Sequence, residues 1–159
     1  MLSMFRSLLG GVTGQDLETI KAITRDAYPA VAQVGTDVAA EWLTNPSLLV
    51  VDVRSREEFA VSHIRGAVNL QTTGQIAAAV KERKPVKTIL YCSVGFRSSR
   101  LAHLLARQGW HGIFNLEGSI FQWANEGRPV YRGDIPVRRV HPYGKRWAGL
   151  LKDGHASDC

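Results

Sequence analysis

Apolar and polar positions along the chain fall into short blocks of alternating period. Leu17, Ile20, Ile23 and Ala27 recur at helical spacing within residues 15–28, and Pro29 stops the run. AQVG then predicts a short strand. A helix follows through DVAAEWL, with Thr36 or Asp37 as its cap and Asn45-Pro46 as its end. LLVVDV (48–53) is continuously apolar and β-branched, the pattern of a strand buried on both faces. SREEFAVSHI predicts a helix with Ser55 as cap and Glu57 and Glu58 suited to the dipole of its first turn. GAVNL (66–70) predicts a strand, TTGQIAAAVKERK a helix closed by Pro85, and TILYC a further strand. RSSRLAHLLARQGW predicts a helix with Gly109 at its left-handed end, then GIFNLEG a strand and SIFQWANEG a helix ending at Gly127. Beyond it the pattern is irregular, except that GKRWAGLLKD could form one more amphipathic helix.

Strands and helices thus alternate from residue 32 to 127 with short connections. This predicts an α/β domain with a mostly parallel sheet and helices on both faces.

Composition narrows the class. With 159 residues, 45% of them apolar, the chain suits one globular domain. No apolar run approaches the ~18 residues of a membrane span. Met1, Met4, Phe5 and Leu8 fall at helical spacing and predict a short amphipathic lead-in, too interrupted for a signal peptide. The formal charge of +6 is uneven: residues 128–159 hold 7 Lys/Arg against 3 Asp/Glu. With few stacking aromatics among them, these cations read first as a solvated surface and second as a site for a weak anionic partner, and no nucleic-acid partner is expected. Two cysteines, Cys92 and Cys159, make neither a disulfide framework nor a zinc site, and they fit a reducing compartment, the cytoplasm. No cluster has metal-ligand spacing, and no metal or cofactor is expected. Trp42, Trp110, Trp123 and Trp147 read as core and lid. His103, on the helix after the loop, could serve as a base, but its neighbours Leu104 and Leu105 point to packing or surface instead; His111 and His141 carry no partner signal, and Gly10-Gly11 and Gly14 follow no strand.

The chemistry concentrates in KTILYCSVGFRSS (87–99). In open α/β sheets sites form beyond the carboxyl ends of strands, and Cys92 stands at such an end. The loop after it enters a helix at about Arg97 or Ser98. Unpaired N–H groups there, with the helix dipole, favour an anion. Gly95 lets the chain turn tightly so that N–H groups curl inward. Arg97 and Arg100 add positive charge. The expected product is a cradle for a negatively charged sulfur, in which a thiolate takes a sulfane sulfur as a persulfide and passes it on.

LLVVDVRSREEFAVSHIRGAVNL, CSVGFRSS and NLEGSIFQWANEGRPV, in that order, resemble the rhodanese family of single-domain type, over about residues 32–131. The resemblance implies a rhodanese-like, mostly parallel five-stranded sheet flanked by helices on both faces. It implies three segments: a helical lead-in (1–30), the domain (31–131) and a basic C-terminal extension (132–159). It implies a sulfurtransferase carrying sulfur on Cys92, with Ser93, Val94, Gly95, Phe96, Arg97 and Ser98 as the active-site loop. The donor would be a small sulfur-containing anion such as thiosulfate, and the acceptor a thiol, cyanide or a protein. Asp52, Arg54, Glu57 and His63 match the earlier motif, where Asp52 and Arg54 brace the fold near the site. Where the family often has Gly-Gly, this chain has Gly118-Ser119. The alternatives are a non-catalytic binding or sulfur-relay module and a small cysteine phosphatase. The latter is disfavoured because four residues, not five, separate Cys92 from Arg97. Cys159 is left outside the site.

Overall fold

The computed structural model describes residues 16–152 and 154–158. The amphipathic lead-in, Gly10-Gly11, Gly14 and Cys159 lie outside the described residues. Helix α1 (Leu17–Ala27) is capped by Asp16, whose carboxylate accepts from Thr19 N–H at 2.9 Å. Then follow β1 (Ala32–Val34), α2 (Thr36–Trp42), β2 (Leu48–Asp52), α3 (Arg56–Val61) and β3 (Val68–Asn69). After these come α4 (Thr73–Arg83), β4 (Lys87–Tyr91), α5 (Phe96–Arg107), β5 (Ile113–Leu116) and α6 (Ser119–Asn125). Helices α3 and α4 both start with a capping box, Ser55 with Glu58 and Thr72 with Gln75. The expected cap of α2 is corrected. Gly35 holds the cap position, and the Thr36 hydroxyl instead donates to Glu126 at 2.6 Å.

The five strands form one sheet in the order β1-β5-β4-β2-β3, and every pairing is parallel. Side chains alternate across it, and both faces are covered. Leu49, Val51, Leu90 and Cys92 join a cluster with Ile76, Ala102 and Leu105 of α4 and α5. Val50, Ile89 and Tyr91 join Ala39 of α2 and Ile120, Phe121 and Trp123 of α6 on the other face. That double burial is why the β2 and β4 sequences lack a polar alternation.

The C-terminal segment differs from expectation. A two-stranded antiparallel hairpin, β6 (Val130–Arg132) and β7 (Ile135–Val137), turns at Gly133-Asp134. Pro136 hides it in the sequence, since proline argues against a strand except at an edge. The helix expected over 144–153 is a single 3-10 turn, Ala148–Leu150. Gly144 and Gly149 weaken any longer helix there. The segment is nonetheless docked. Val140 and Leu151 are buried in the main core, and Val140 N–H donates to His155 C=O at 2.6 Å. The Asn125 side chain donates to Leu150 C=O and accepts from Lys152 N–H, both at 2.8 Å. Arg132, Arg138, Arg139, Lys145 and Arg146 remain exposed. Among the described residues no helix is long and apolar enough to cross a membrane.

Candidate functional site

Cys92 follows the last residue of β4, and α5 begins four residues later. Gly95 caps α5 at φ 104°, a left-handed conformation that a side chain would strain. A Cβ there would also stand 3.2 Å from the Asn115 amide. This turn brings Gly95 N–H to 3.1 Å from Cys92 Sγ, where it donates to the sulfur. The Ser98 hydroxyl lies 3.3 Å from the same atom. The cysteine is 1% exposed.

A second helix start holds the loop from below. Ile120 N–H donates to Cys92 C=O at 3.2 Å and Phe121 N–H to Ser93 C=O at 3.0 Å. Ser119 replaces the glycine common in the resembling motif and keeps a positive φ of 51°. Its hydroxyl accepts from Cys92 N–H at 3.2 Å and donates to Leu116 C=O at 2.9 Å, which offsets the backbone strain. Gly118 cannot vary in the same way, because a Cβ would fall 2.5 Å from Gln122 Cβ.

Beside the loop stands an ion pair between a buried carboxylate and a half-buried arginine. Arg97 donates to both oxygens of Glu58, at 2.9 and 3.1 Å, and to Ser93 Oγ at 2.9 Å. Ser93 Oγ in turn lies 3.2 Å from Glu58 Oε1. Burial alone would raise the Glu58 carboxyl. The hydrogen bonds and charge of Arg97 outweigh it and hold the group at about 2. Burial would lower Arg97; its interactions with Cys92 and with the Glu58 carboxylate raise it instead. The outer face of its guanidinium lies 4.4 Å from the Tyr143 ring centroid. Tyr143 comes from the C-terminal segment, adopts φ 67°, and donates its N–H to His141 Nδ1 at 3.0 Å.

The structure thus sets Gly95 and Ser98 against the Cys92 sulfur, with Ser93 and Arg97 joined to Glu58 beside the loop. Val94 is buried in the core, and the Phe96 ring meets Tyr28 at 5.4 Å. Asp52 and Arg54 lie at the neighbouring strand end, both fully buried, with Arg54 Nη2 2.7 Å from Asp52 Oδ2 and 2.7 Å from Ser62 C=O. Burial would lower Arg54; Asp52 reverses that and raises it. Glu57 is exposed, and the buried carboxylate is its neighbour Glu58, one position on. The Ser55-x-x-Glu58 capping pattern was the available signal. His63 stacks on Phe59 at 4.3 Å and pairs its backbone with Tyr131, which ties the hairpin to the domain. Trp123 is core, Trp42 packs edge-on to Phe114, Trp110 lies against the α4–α5 side of the core, and Trp147 meets Tyr143 edge-on at 6.2 Å. His103 faces Tyr28. Asn115, Gln33 and Tyr143 were not foreseen, because only the fold brings them to the loop, and Ser119 stood out only as a departure from Gly-Gly.

The rhodanese-like domain family model matches residues 36–126. The chain is 26% identical over 155 residues to a tRNA uridine(34) hydroxylase of Photorhabdus laumondii, covering 92% of this chain and 42% of that protein. It is 30% identical over 117 residues to the tRNA uridine(34) hydroxylase of Teredinibacter turnerae, covering 65% and 36%. The chain therefore spans less than half the length of these relatives. Among solved structures, a rhodanese-related protein from Thermoplasma volcanium superposes with a TM-score of 0.54 at 25% identity, covering 64% of this chain and 98% of that one. These relatives overturn the expected transfer of sulfur from thiosulfate to cyanide or a thiol, since proteins this similar are named for hydroxylating a tRNA uridine. They equally remove the ground for excluding a nucleic-acid partner, which rested on the sparse aromatics of the basic tail. That reading took the tail's cations as a solvated surface; the aromatics of the same segment, Tyr143 and Trp147, are folded against the domain.

Proposed function

The chain belongs to the rhodanese-like family, and from that premise we propose that it is the cysteine-bearing module of a tRNA uridine-modifying enzyme, with Cys92 as the nucleophile. The observation that carries the reading is the Gly95 N–H at 3.1 Å from the Cys92 sulfur, in a chain similar across 92% of its length to a tRNA uridine(34) hydroxylase. Carbon 6 of a uracil ring is electrophilic. Addition of the Cys92 sulfur there forms an S–C6 bond and moves an electron pair to C5 and O4. Carbon 5 then attacks an oxidant of peroxide level. A C5–O bond forms, the O–O bond breaks, and the departing oxygen takes the C5 proton as the S–C6 bond breaks. The ring is restored, now hydroxylated, and the cysteine is returned unchanged. This is covalent catalysis in two stages.

Cys92 is buried, so the base must leave its stack to reach the sulfur, as bases do for enzymes that react on the ring. Arg132, Arg138, Arg139, Lys145 and Arg146, exposed on the docked C-terminal segment, would meet the phosphates, and tRNA binding would weaken as salt rises. A cytoplasmic setting suits both a free thiol and this substrate. The test is nucleoside analysis of unmodified tRNA incubated with the protein and a peroxide. The reading expects 5-hydroxyuridine with wild type and none with Cys92→Ser. Equal product from both would reject it.

A further inference from the structure

Ser98 has one hydroxyl proton and faces two acceptors. Its Oγ lies 3.3 Å from Cys92 Sγ and 2.5 Å from Asn115 Oδ1. Asn115 is held one way round. Its Nδ2 donates to Gln33 Oε1 at 2.7 Å, and Gln33 Nε2 donates to Ser99 Oγ at 3.2 Å. The Asn115 oxygen is thereby turned toward Ser98. Cys92, Ser98 and Asn115 are each at most 1% exposed, so water does not replace a partner that any of them loses.

We propose that Asn115, oriented by Gln33, is a positioning residue that competes with the Cys92 sulfur for the Ser98 proton and so sets how readily that sulfur ionises. In the thiol state S–H donates to Ser98 Oγ, and Ser98 O–H donates to Asn115 Oδ1. When the S–H proton leaves to a solvent base, the electron pair stays on sulfur. The Ser98 O–H then rotates from Asn115 onto the anion. No other bond breaks. The Asn115 oxygen is left without its donor in a buried place, which opposes ionisation, while Gly95 N–H favours it. The charged groups around the sulfur are Arg97 on α5 and Glu58 on α3, bound to one another, with Tyr143 of the C-terminal segment against Arg97. All three remain in every variant below. The inference rests on Cys92 as the reacting sulfur and not on tRNA as the substrate, so it survives a failed hydroxylation assay.

The test is the rate of iodoacetamide alkylation, followed by intact mass across pH, on the full chain carrying Cys159→Ser. Cys92 is then the single thiol. Asn115→Leu removes the competitor and keeps volume, and alkylation at pH 6.5 should rise about ten-fold. Asn115→Asp places a stronger acceptor and a negative charge there, and the rate should fall about ten-fold. Gln33→Leu, at a half-buried edge, frees the Asn115 amide to turn its Nδ2 toward Ser98 and should speed alkylation. It carries the test if a strand variant does not fold. All rates should converge at high pH, where every thiol is ionised. Leu and Asp variants moving in the same direction, no change in any variant, or differences that persist at high pH would overturn the inference.

Discussion

Two arginine–carboxylate pairs stand at neighbouring strand ends, and they differ in what they face. Asp52 ends β2 and Arg54 comes two positions later, and both side chains are 0% exposed. Arg54 donates to both Asp52 oxygens and to Ser62 C=O, and its guanidinium lies 5.8 Å from the Tyr91 ring centroid. Glu58 and Arg97 come from two different helices, and Arg97 is 27% exposed and reaches the loop through Ser93. The first pair closes on itself and joins β2 to the segment around Ser62. The second joins α3 to the sulfur-bearing loop and leaves one face of its arginine toward the C-terminal segment. Both pairs join an arginine to a buried carboxylate. Position relative to Cys92 decides whether it supports the fold or the site.

Arg54→Ala breaks this contrast most severely. It leaves Asp52 buried without its partner, and such losses cost roughly 3–5 kcal/mol. Thermal unfolding should show a large fall in Tm, and a variant with unchanged Tm would contradict the structural role given to this pair.

Glu58→Gln should have the next largest effect, with about 2–3 kcal/mol of stability lost. The pH dependence gives its sign. The carboxyl is held at about 2 against an ordinary value of 4.5. Its contribution is therefore fully present above about 4.5 and is lost as pH falls toward 2. Chemical denaturation should show wild-type stability declining across that window more steeply than that of Glu58→Gln. Parallel curves would show that the pair does not hold the carboxyl down.

How much of this was legible in the sequence follows from how local each signal is. The parallel sheet was, because LLVVDV and TILYC state double burial in consecutive residues. Cys92 and Gly95 were, because a strand end, a tight turn and a helix start are adjacent in the chain. The Glu58–Arg97 pair was not, since its partners are 39 positions apart and Glu57 offers the same chemistry one residue earlier. Asn115 and Gln33 read as ordinary strand polars until the sheet sets β1 beside β5. The hairpin was concealed by Pro136, and the docked tail by charges that stay exposed while Val140 and Leu151 supply the burial.

The smallest expected effect sharpens the comparison at the loop's base. Ser119→Gly relieves the positive φ but removes the hydroxyl that serves Cys92 N–H and Leu116 C=O. The two changes oppose, so stability should move by less than about 1 kcal/mol. Ser119→Ala keeps the strain and loses the hydrogen bonds, and should be the less stable of the two. The reverse order in urea denaturation would show that the hydroxyl does not offset the strain.

The central claim is that Cys92 attacks a uridine base. It is tested most directly by mixing the protein with a peroxide and tRNA carrying 5-fluorouridine, in which fluorine replaces the C5 proton whose loss lets the sulfur leave, and measuring intact mass. The account predicts a protein–RNA adduct whose mass is the sum of the two plus one oxygen, formed by wild type and absent with Cys92→Ser. An adduct that persists in Cys92→Ser, or none with wild type while the tRNA remains bound, would contradict it.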